Sequence, residues 1–476
     1  MIFMVALTQY SASMALRISL EASPGFITKL SQAKHLVYGF APLVFGRLAD
    51  VYSRPISLAF ALFLFILGCI ISAASPNAAA FAVGTVFHTI GMAGIGLLAA
   101  VFAGDFTPLK WRGAALSWTY LPYLMTVWAG PAFFIAVDWR WTYGMATIVV
   151  FVICTPALYL LFSATRSHDI ATLSSPTLRT PKIGGITSRM DLAGLLIFTL
   201  GFALTEYGST TMVIRYDRHA NEYPPGRIAM LVVGLLLTFP VFILWELYCA
   251  PFPLMPGRVL RRKGVLFAVV ISFLFRFASD FAEGNVGYNT PWTWTIGDIG
   301  YFFAAITIAF SAGAPLLGAA YYAVRRYKPF LITGNVLFIV GCALWLHATR
   351  HYNWDPEANE ESFPTKAYLF TTQVLIGMGE IAVVMSALIG GQASVTHDDL
   401  AIVTALVFSW SQVAGTLGSS AVVAVSLRSD SDAVKSTITL GLALGFSLLC
   451  LVLSFFAPNF VLGDKQNAVE AELDTE

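Results

Sequence analysis

Charge is what this sequence has least of. Its 28 Lys+Arg and 27 Asp+Glu make up 12% of 476 residues, about half of the roughly 25% that a soluble domain carries. Such a chain cannot coat a water-facing surface of its own size. With a net charge of +1 it also offers no basic stripe to nucleic acid. Cysteine is scarce as well: Cys69, Cys154, Cys249, Cys342 and Cys450 lie far apart, mostly in apolar runs and without a CxxC spacing. They give neither a disulfide framework nor a zinc site. No Walker motif is present, which excludes an ATP-driven pump. The glycine pattern from Gly91 to Gly96 lies inside an apolar run, where small-residue helix packing explains it better than nucleotide binding. There is no N-x-S/T sequon, which leaves plasma and internal membranes equally open. No enzyme motif and no cofactor is implied.

Hydrophobic residues are what the chain has, at 57% of its length. At roughly 20 apolar residues per bilayer-crossing helix, that content allows at most about fourteen spans. Runs of spanning length lie at 1–20, 32–50, 55–75, 79–103, 113–136, 142–163, 190–209, 227–249, 263–283, 299–323, 328–347, 367–391, 400–426 and 435–458. The expectation is an all-α multi-pass membrane protein of fourteen transmembrane helices, separated by turn chemistry such as Ser75-Pro76-Asn77 and Tyr223-Pro224-Pro225-Gly226. An even number puts both termini on one side. Sixteen Lys/Arg fall in loops on that side, including the clusters Arg258, Arg261, Arg262, Lys263 and Arg325, Arg326, Lys328, against ten on the other. The positive-inside rule therefore places the termini in the cytoplasm. Ser11-Ala12-Ser13-Met14-Ala15 imitates a signal-peptide cleavage site, yet no charge precedes Arg17. The first run is read as a membrane helix lacking its cytoplasmic tail.

Two short internal matches divide the chain. Gly46 to Cys69 pairs with Gly318 to Cys342, both with a glycine at a helix end, a basic turn with proline, and LFI-(L or V)-GC in the next helix; TIGMAGI (Thr89 to Ile95) pairs with LIGMGEI (Leu375 to Ile381). Spans 2 to 4 are thereby matched to spans 10 to 12. The implied organisation is a six-helix half (1–163), a cytoplasmic linker (164–189), two inserted helices (190–249), a second six-helix half (263–458) and a cytoplasmic tail (459–476). Halves related by an axis along the membrane normal bind substrate between them near the midplane.

The string GRLADVYSRP resembles the loop signature of the major facilitator superfamily, with Gly46, Leu48, Asp50 and Arg54 at signature positions. Gly46 allows close helix approach. Asp50 and Arg54, four apart, can cross-link the cytoplasmic helix ends, so a gating role is expected of Gly46, Asp50 and Arg54. The run Val86 to Trp118, followed by LPYLMTVWAGP, is similar to the fungal siderophore-iron transporter family. Further resemblance lies in WRWTYGM (Trp139 to Met145), Glu246 with PLMPGRVLRRKG, GGQASVTHDDLAIVTAL (Gly390 to Leu406) and LGDKQNAVE (Leu462 to Glu470), so that it runs from about residue 32 onward. It implies a major facilitator fold that imports a ferric hydroxamate siderophore with protons. The chain departs from the family in its N-terminal tail and in the last outer loop, here roughly Ser426 to Val434.

A charge in the hydrocarbon core costs about 3 kcal/mol on insertion scales, so the few polar residues inside the spans carry the functional question. Arg276, Asp280 and Glu283 form one stripe of span 9, where an Arg–Asp pair at i, i+4 can also simply satisfy itself. Gln373, Gly377 and Glu380 form another in span 12, and Glu380 has no cation on its own helix. Glu380 is the leading proton-coupling candidate, followed by Asp280 and by His88, whose plainer reading is a neutral, hydrogen-bonded imidazole. Arg276, Gln373, Tyr120, Tyr123, Trp128 and Gln412 are the substrate-cavity candidates, because a neutral hydroxamate complex needs aromatic and hydrogen-bonding walls. Glu206 and Glu246 are expected to be structural. His347 and His351 have helical metal spacing but no third ligand, so no metal site is expected. A monomer in the plasma membrane or an endosomal or vacuolar membrane is expected. The rival readings are a drug or toxin:proton antiporter of the same fold and a non-transporting sensor or degenerate copy.

Overall fold

The structure is a computed structural model that describes residues 8, 23–172, 190–214, 225–284, 294–351, 365–428 and 432–467. Span 1, with Ser11 to Ala15, lies outside the described residues apart from Thr8. The remaining thirteen spans appear as helices: α1 (Pro24–Val51), α2 (Arg54–Ala73), α3 (Ala78–Phe106), α4 (Leu109–Ala136), α5 (Trp139–Thr172) and α6 (Leu192–Ile214) come first. The next, α7, runs from Pro225–Leu236 through Phe242–Leu244, with π-helical turns at Leu237–Val241 and Trp245–Cys249. Then follow α8 (Lys263–Gly284), α9 (Ile296–Val324), α10 (Lys328–His351), α11 (Lys366–Ala393), α12 (Leu400–Arg428) and α13 (Asp432–Phe456). Eleven of these segments are long and apolar enough to cross a membrane by length and composition. Helix α5 reaches Thr172, nine residues past the end expected from hydropathy, and only residues 429–431 separate α12 from α13.

Local chemistry sets the helix starts. Ser53 and Asn77 side chains accept the backbone N–H of Ile56 and Ala80, capping α2 and α3, and Pro55 sits in the first turn of α2, where its missing N–H costs nothing. Thr295 and Asp298 close a capping box at α9. Pro240 lies in the first π turn of α7 and cannot donate the α-helical bond, which fits the local widening there. Large apolar side chains on the outer surface, among them Phe63, Trp141, Tyr159, Leu196 and Phe456, are exposed, as expected of helices facing lipid rather than water.

Packing follows a pseudo-twofold. Helix α2 packs most extensively on α3, and α10 on α11; α2 also meets α5 as α10 meets α13. Between the halves, α4 packs on α9 and α1 on α12, two seams that the internal repeat exchanges. The repeated glycines explain these contacts. A methyl group on Gly68 would stand 2.2 Å from the His88 backbone nitrogen, and one on its repeat partner Gly341 would stand 2.8 Å from Ile376. Gly46 and Gly318 hold the two seams themselves: a Cβ at Gly46 would lie 2.8 Å from the Ala405 Cβ, and one at Gly318 would lie 2.9 Å from the Ala114 Cα. Helices α6 and α7 pack together beside the α1–α12 seam, where the ring centroids of Phe198 and Trp410 are 5.9 Å apart.

Gly46→Val and Gly318→Val should each destabilise the assembled halves by about 1–3 kcal/mol through overpacking. The two effects should add, because the seams are far apart. Thermal melts of the purified protein in detergent check this, and an unchanged melt for Gly318→Val would contradict the close backbone approach.

Candidate functional site

Between the halves lies a cavity of about 570 Å³, lined by Tyr120 and Tyr123 of α4, Arg276 and Glu283 of α8, Thr307, Phe310 and Ser311 of α9, Glu380 of α11 and Gln412 of α12. A smaller apolar compartment of about 270 Å³ shares Tyr120, Tyr123 and Gln412 with it and extends toward Tyr38, Met92 and Phe408. Both fall in or just below the size range of small-molecule sites. Tyr120 stands edge-on to Phe310 with centroids 5.3 Å apart, so an aromatic pair from opposite halves forms part of the wall. Tyr38 Oη donates to Met92 Sδ at 3.1 Å.

Arg276 organises the polar wall. Its Nη2 donates to Asp280 Oδ1 at 2.9 Å, and its Nη1 reaches Glu283 Oε1 at 3.4 Å and Glu380 Oε1 at 3.3 Å. Ser279 Oγ donates to the same two glutamate oxygens, at 3.1 and 3.2 Å. Arg276 and Asp280 therefore do not form a closed i, i+4 pair; the guanidinium is shared among three carboxylates, one of them on another helix. Glu380, whose own helix carries a cation only at its far end, where Lys366 pairs with Asp298, takes one from α8. Its register in the repeat is that of Gly94, so the acid stands where the first half has a bare helix face packed on Phe45.

The other candidates divide. Tyr120, Tyr123 and Gln412 line the cavity. Asp280 lies just behind Arg276, against α12: a Cβ at Gly415 would be 2.9 Å from its Oδ2. Gln373 does not line the cavity. It is fully buried and its amide donates to Thr372 Oγ1. His88 is buried within the first half, 2.9 Å from Thr8 Oγ1 and packed on the Phe65 ring, away from the cavity. Its place is that of the plain, hydrogen-bonded imidazole. The Trp128 side chain lies outside the described residues. Glu206 meets His35 at 3.4 Å and Glu246 accepts the Met255 N–H at 2.8 Å, both as structural contacts. The His347 and His351 rings lie with centroids 4.4 Å apart, tilted by 35°. Among the described residues no group of three or more His, Cys, Asp or Glu could hold a metal.

At the basic end the halves are shut. Arg54 pairs with Asp105 of α3 (Nε to Oδ2, 2.7 Å) rather than with Asp50, which makes no ion pair among the described residues. Arg54 also reaches across to the second half, 3.1 Å to His397 Nε2 and 3.2 Å to its carbonyl. His397 Nδ1 lies 3.6 Å from Asp105 Oδ1, which closes a triangle. Gln392 Nε2 of α11 donates to the Ala100 carbonyl of α3, and Arg258 pairs with Asp399 at 2.6 Å. Hydropathy alone gave no weight to Asp105, His397 or Asp399. The signal was there in the acid at the end of span 4 and in the His-Asp-Asp run before span 13.

A segment after α13 straps the same end. Leu462 N–H donates to Arg325 O in the second half, while Leu109 and Lys110 N–H groups of the first half donate to Lys465 O and Gly463 O. The fully buried Arg112 links Gly104 O and Gln466 O at 2.8 Å each. The Lys110 ammonium beside Asp464 holds that carboxyl below the ordinary carboxylate range.

A profile for sugar (and other) transporters matches residues 34–163. Among solved structures, the proton:xylose symporter of the major facilitator superfamily superposes with a TM-score of 0.62 at 12% identity, covering 100% of this chain and 95% of that one. The human organic anion transporter MFSD10 gives 0.58 at 16% identity, covering 95% and 97%. The fold is that of the major facilitator superfamily. In sequence the chain is similar to fungal siderophore iron transporters. It is 28% identical over 437 residues to a siderophore transporter of Zymoseptoria tritici, covering 86% of this chain and 64% of that one. To siderophore iron transporter 1 of Saccharomyces cerevisiae it is 26% identical, covering 81% and 62%. A low affinity heme transporter of Schizosaccharomyces pombe is 26% identical, covering 94% and 78%. The chain thus spans slightly under two thirds of the length of these siderophore transporters.

Arg54→Ala removes the guanidinium 2.7 Å from the buried Asp105, leaving it the longer His397 contact, and should cost about 3–5 kcal/mol. Adding Asp105→Asn to it should recover much of that loss. A double-mutant cycle read from thermal melts measures the coupling, and additive effects would rule out the gate pair.

Proposed function

We propose that this protein is a proton-coupled secondary transporter that imports ferric hydroxamate siderophores by alternating access, with both termini in the cytoplasm, acting as a monomer in the plasma membrane or an endosomal or vacuolar membrane. Similarity to the siderophore transporters of Zymoseptoria and Saccharomyces supports the cargo, and the positive-inside count supports the orientation. The carrying observation for coupling is the Arg276–Glu380 contact between α8 and α11 at the wall of the cavity. One guanidinium cannot balance three carboxylates in a medium of low dielectric, so the cluster takes up a proton. Glu380 carries it. It faces the cavity and its one cation among the described residues belongs to another helix, so its protonation loosens the tie between α8 and α11. Asp280, pressed against α12, tunes the same balance. With the basic end shut by the Arg54, Asp105 and His397 contacts, cargo reaches the cavity from the opposite end. The change of access consists in parting those contacts. Iron enters and leaves as part of its hydroxamate complex, and the transporter supplies no ligand to it.

Uptake of radiolabelled iron from hydroxamate siderophores, by a fungal strain stripped of its own siderophore transporters, should appear on expression of this chain and collapse with a protonophore. Absence of uptake for every hydroxamate tested, with the protein present in the membrane, would sink the reading. Export-based resistance to a toxicant panel would support the antiporter instead. Glu380→Gln should abolish proton-driven accumulation while leaving cargo binding intact; an unchanged pH profile of uptake would refute its coupling role.

A further inference from the structure

The cavity has an electrostatic character that goes beyond holding a siderophore and decides which complexes it admits. Its lining contributes one cation, Arg276, and two carboxylates, Glu283 and Glu380, with Asp280 directly behind. Among the described residues no other Lys, Arg or His lines either compartment. Each polar contact of Arg276 with these acids lies within 3.4 Å. The guanidinium is thus already engaged, and the site stays anionic even when one carboxyl carries a proton. A cargo bearing free carboxylates would meet like charge with no cation left to receive it, which in a confined cavity of low dielectric is strongly unfavourable.

Glu283 differs from its neighbours. Its side chain is 37% exposed, against 9% for Glu380 and 10% for Asp280, and its contact with Arg276 is the longest of the three at 3.4 Å. It is the carboxylate that a ligand can reach without breaking the cluster. Opposite stand the Tyr120 and Tyr123 rings, whose faces favour a cation. A second, independent feature marks a ligand position. Ser311 lines the cavity, is completely buried, and its hydroxyl has no hydrogen-bond partner among the described residues. Buried hydroxyls are nearly always paired, so this one is available to a cargo oxygen.

Resting on the siderophore reading above, we propose that the cavity selects its cargo by charge: Glu283 receives a pendant ammonium group on the ferric hydroxamate complex, neutral complexes are admitted, and complexes bearing free carboxylates are rejected. Ser311 donates to, or accepts from, the polar backbone of the bound complex. The apolar compartment beside Met92 and Phe408 takes its hydrocarbon part.

The test is direct binding to the purified protein in lipid nanodiscs, measured by calorimetry. The probes are gallium(III) complexes of a neutral cyclic trihydroxamate, of a linear trihydroxamate with a free terminal amine and of a hydroxamate with free carboxylates, together with haemin as a carboxylate-bearing apolar cargo. The amine-bearing complex should bind at least as tightly as the neutral one, and both more tightly than the carboxylate complex and haemin. Glu283→Gln should weaken the amine-bearing complex by about tenfold, the loss of one cavity ion pair. The neutral complex should be nearly unaffected and the carboxylate complex improved, and Glu283→Asp should restore most of the amine preference. Equal binding of all probes, or an order unmoved by Glu283→Gln, overturns charge selection while leaving the siderophore reading intact. Binding of no hydroxamate complex to folded wild-type protein overturns that reading itself. Tightest binding of haemin overturns both. Should Glu283→Gln fail to fold, the order of the probes on the wild-type protein decides the matter.

Discussion

A guanidinium in the middle of a membrane protein has to be neutralised by protein, because lipid offers it nothing. Arg276 meets this constraint with more negative charge than it needs, and the excess is what gives the site its chemistry. A pair of one cation and one anion would be balanced; one cation among three acids leaves negative charge in excess. The hydroxyl of Ser279 holds two of the acids in register, so the cluster is a geometric unit that binds α8 to α11 rather than a loose collection of charges.

That unit is joined mechanically to the shut end. Helix α12 carries Gln412 in the cavity wall, Gly415 and Gly418 against Asp280, and, nearer its start, Ala401 and Ala405 against Gly46. Glycine faces leave no compliant side chains between helix and neighbour, so the ion cluster and the seam pack closely against one continuous helix. The triangle of Arg54, Asp105 and His397 lies beside the beginning of the same helix. The strap after α13 adds backbone bonds to both halves at that end. Closure at that end therefore rests on many modest contacts, spread over side chains and main chain.

Much of the architecture was legible in the sequence, for physical reasons. Spans are read from length and apolarity because the bilayer imposes both, and the weak repeat was legible because Gly46 and Gly318 do the same steric task at exchanged seams. Glu380 stood out because an acid with no cation in its own span, 367–391, demands a partner elsewhere. Which partner was not legible: spacing within one helix cannot give the register between two, so Arg276 looked paired with Asp280 alone. The same limit misplaced Gln373, which shares a helix face with Glu380 but lies about 10 Å farther along the axis, beyond the cavity. Arg54 was expected to act with Asp50, its neighbour in sequence, and instead crosses to Asp105, which is closer in space.

The two compartments of the cavity set opposing demands on any cargo. One wall, with Met92, Phe408 and the tyrosine rings, offers an apolar surface; the other, with Glu283, Glu380 and Ser311, offers hydrogen bonding and negative charge. A saturated metal complex wrapped in an organic shell satisfies both, because its charge is internal and its outside is amphipathic. Sugars would leave the apolar wall unused, and dicarboxylate macrocycles would oppose the acidic one. What narrows the range of cargo is thus the pairing of an apolar compartment with an acidic one, and neither compartment alone would do so.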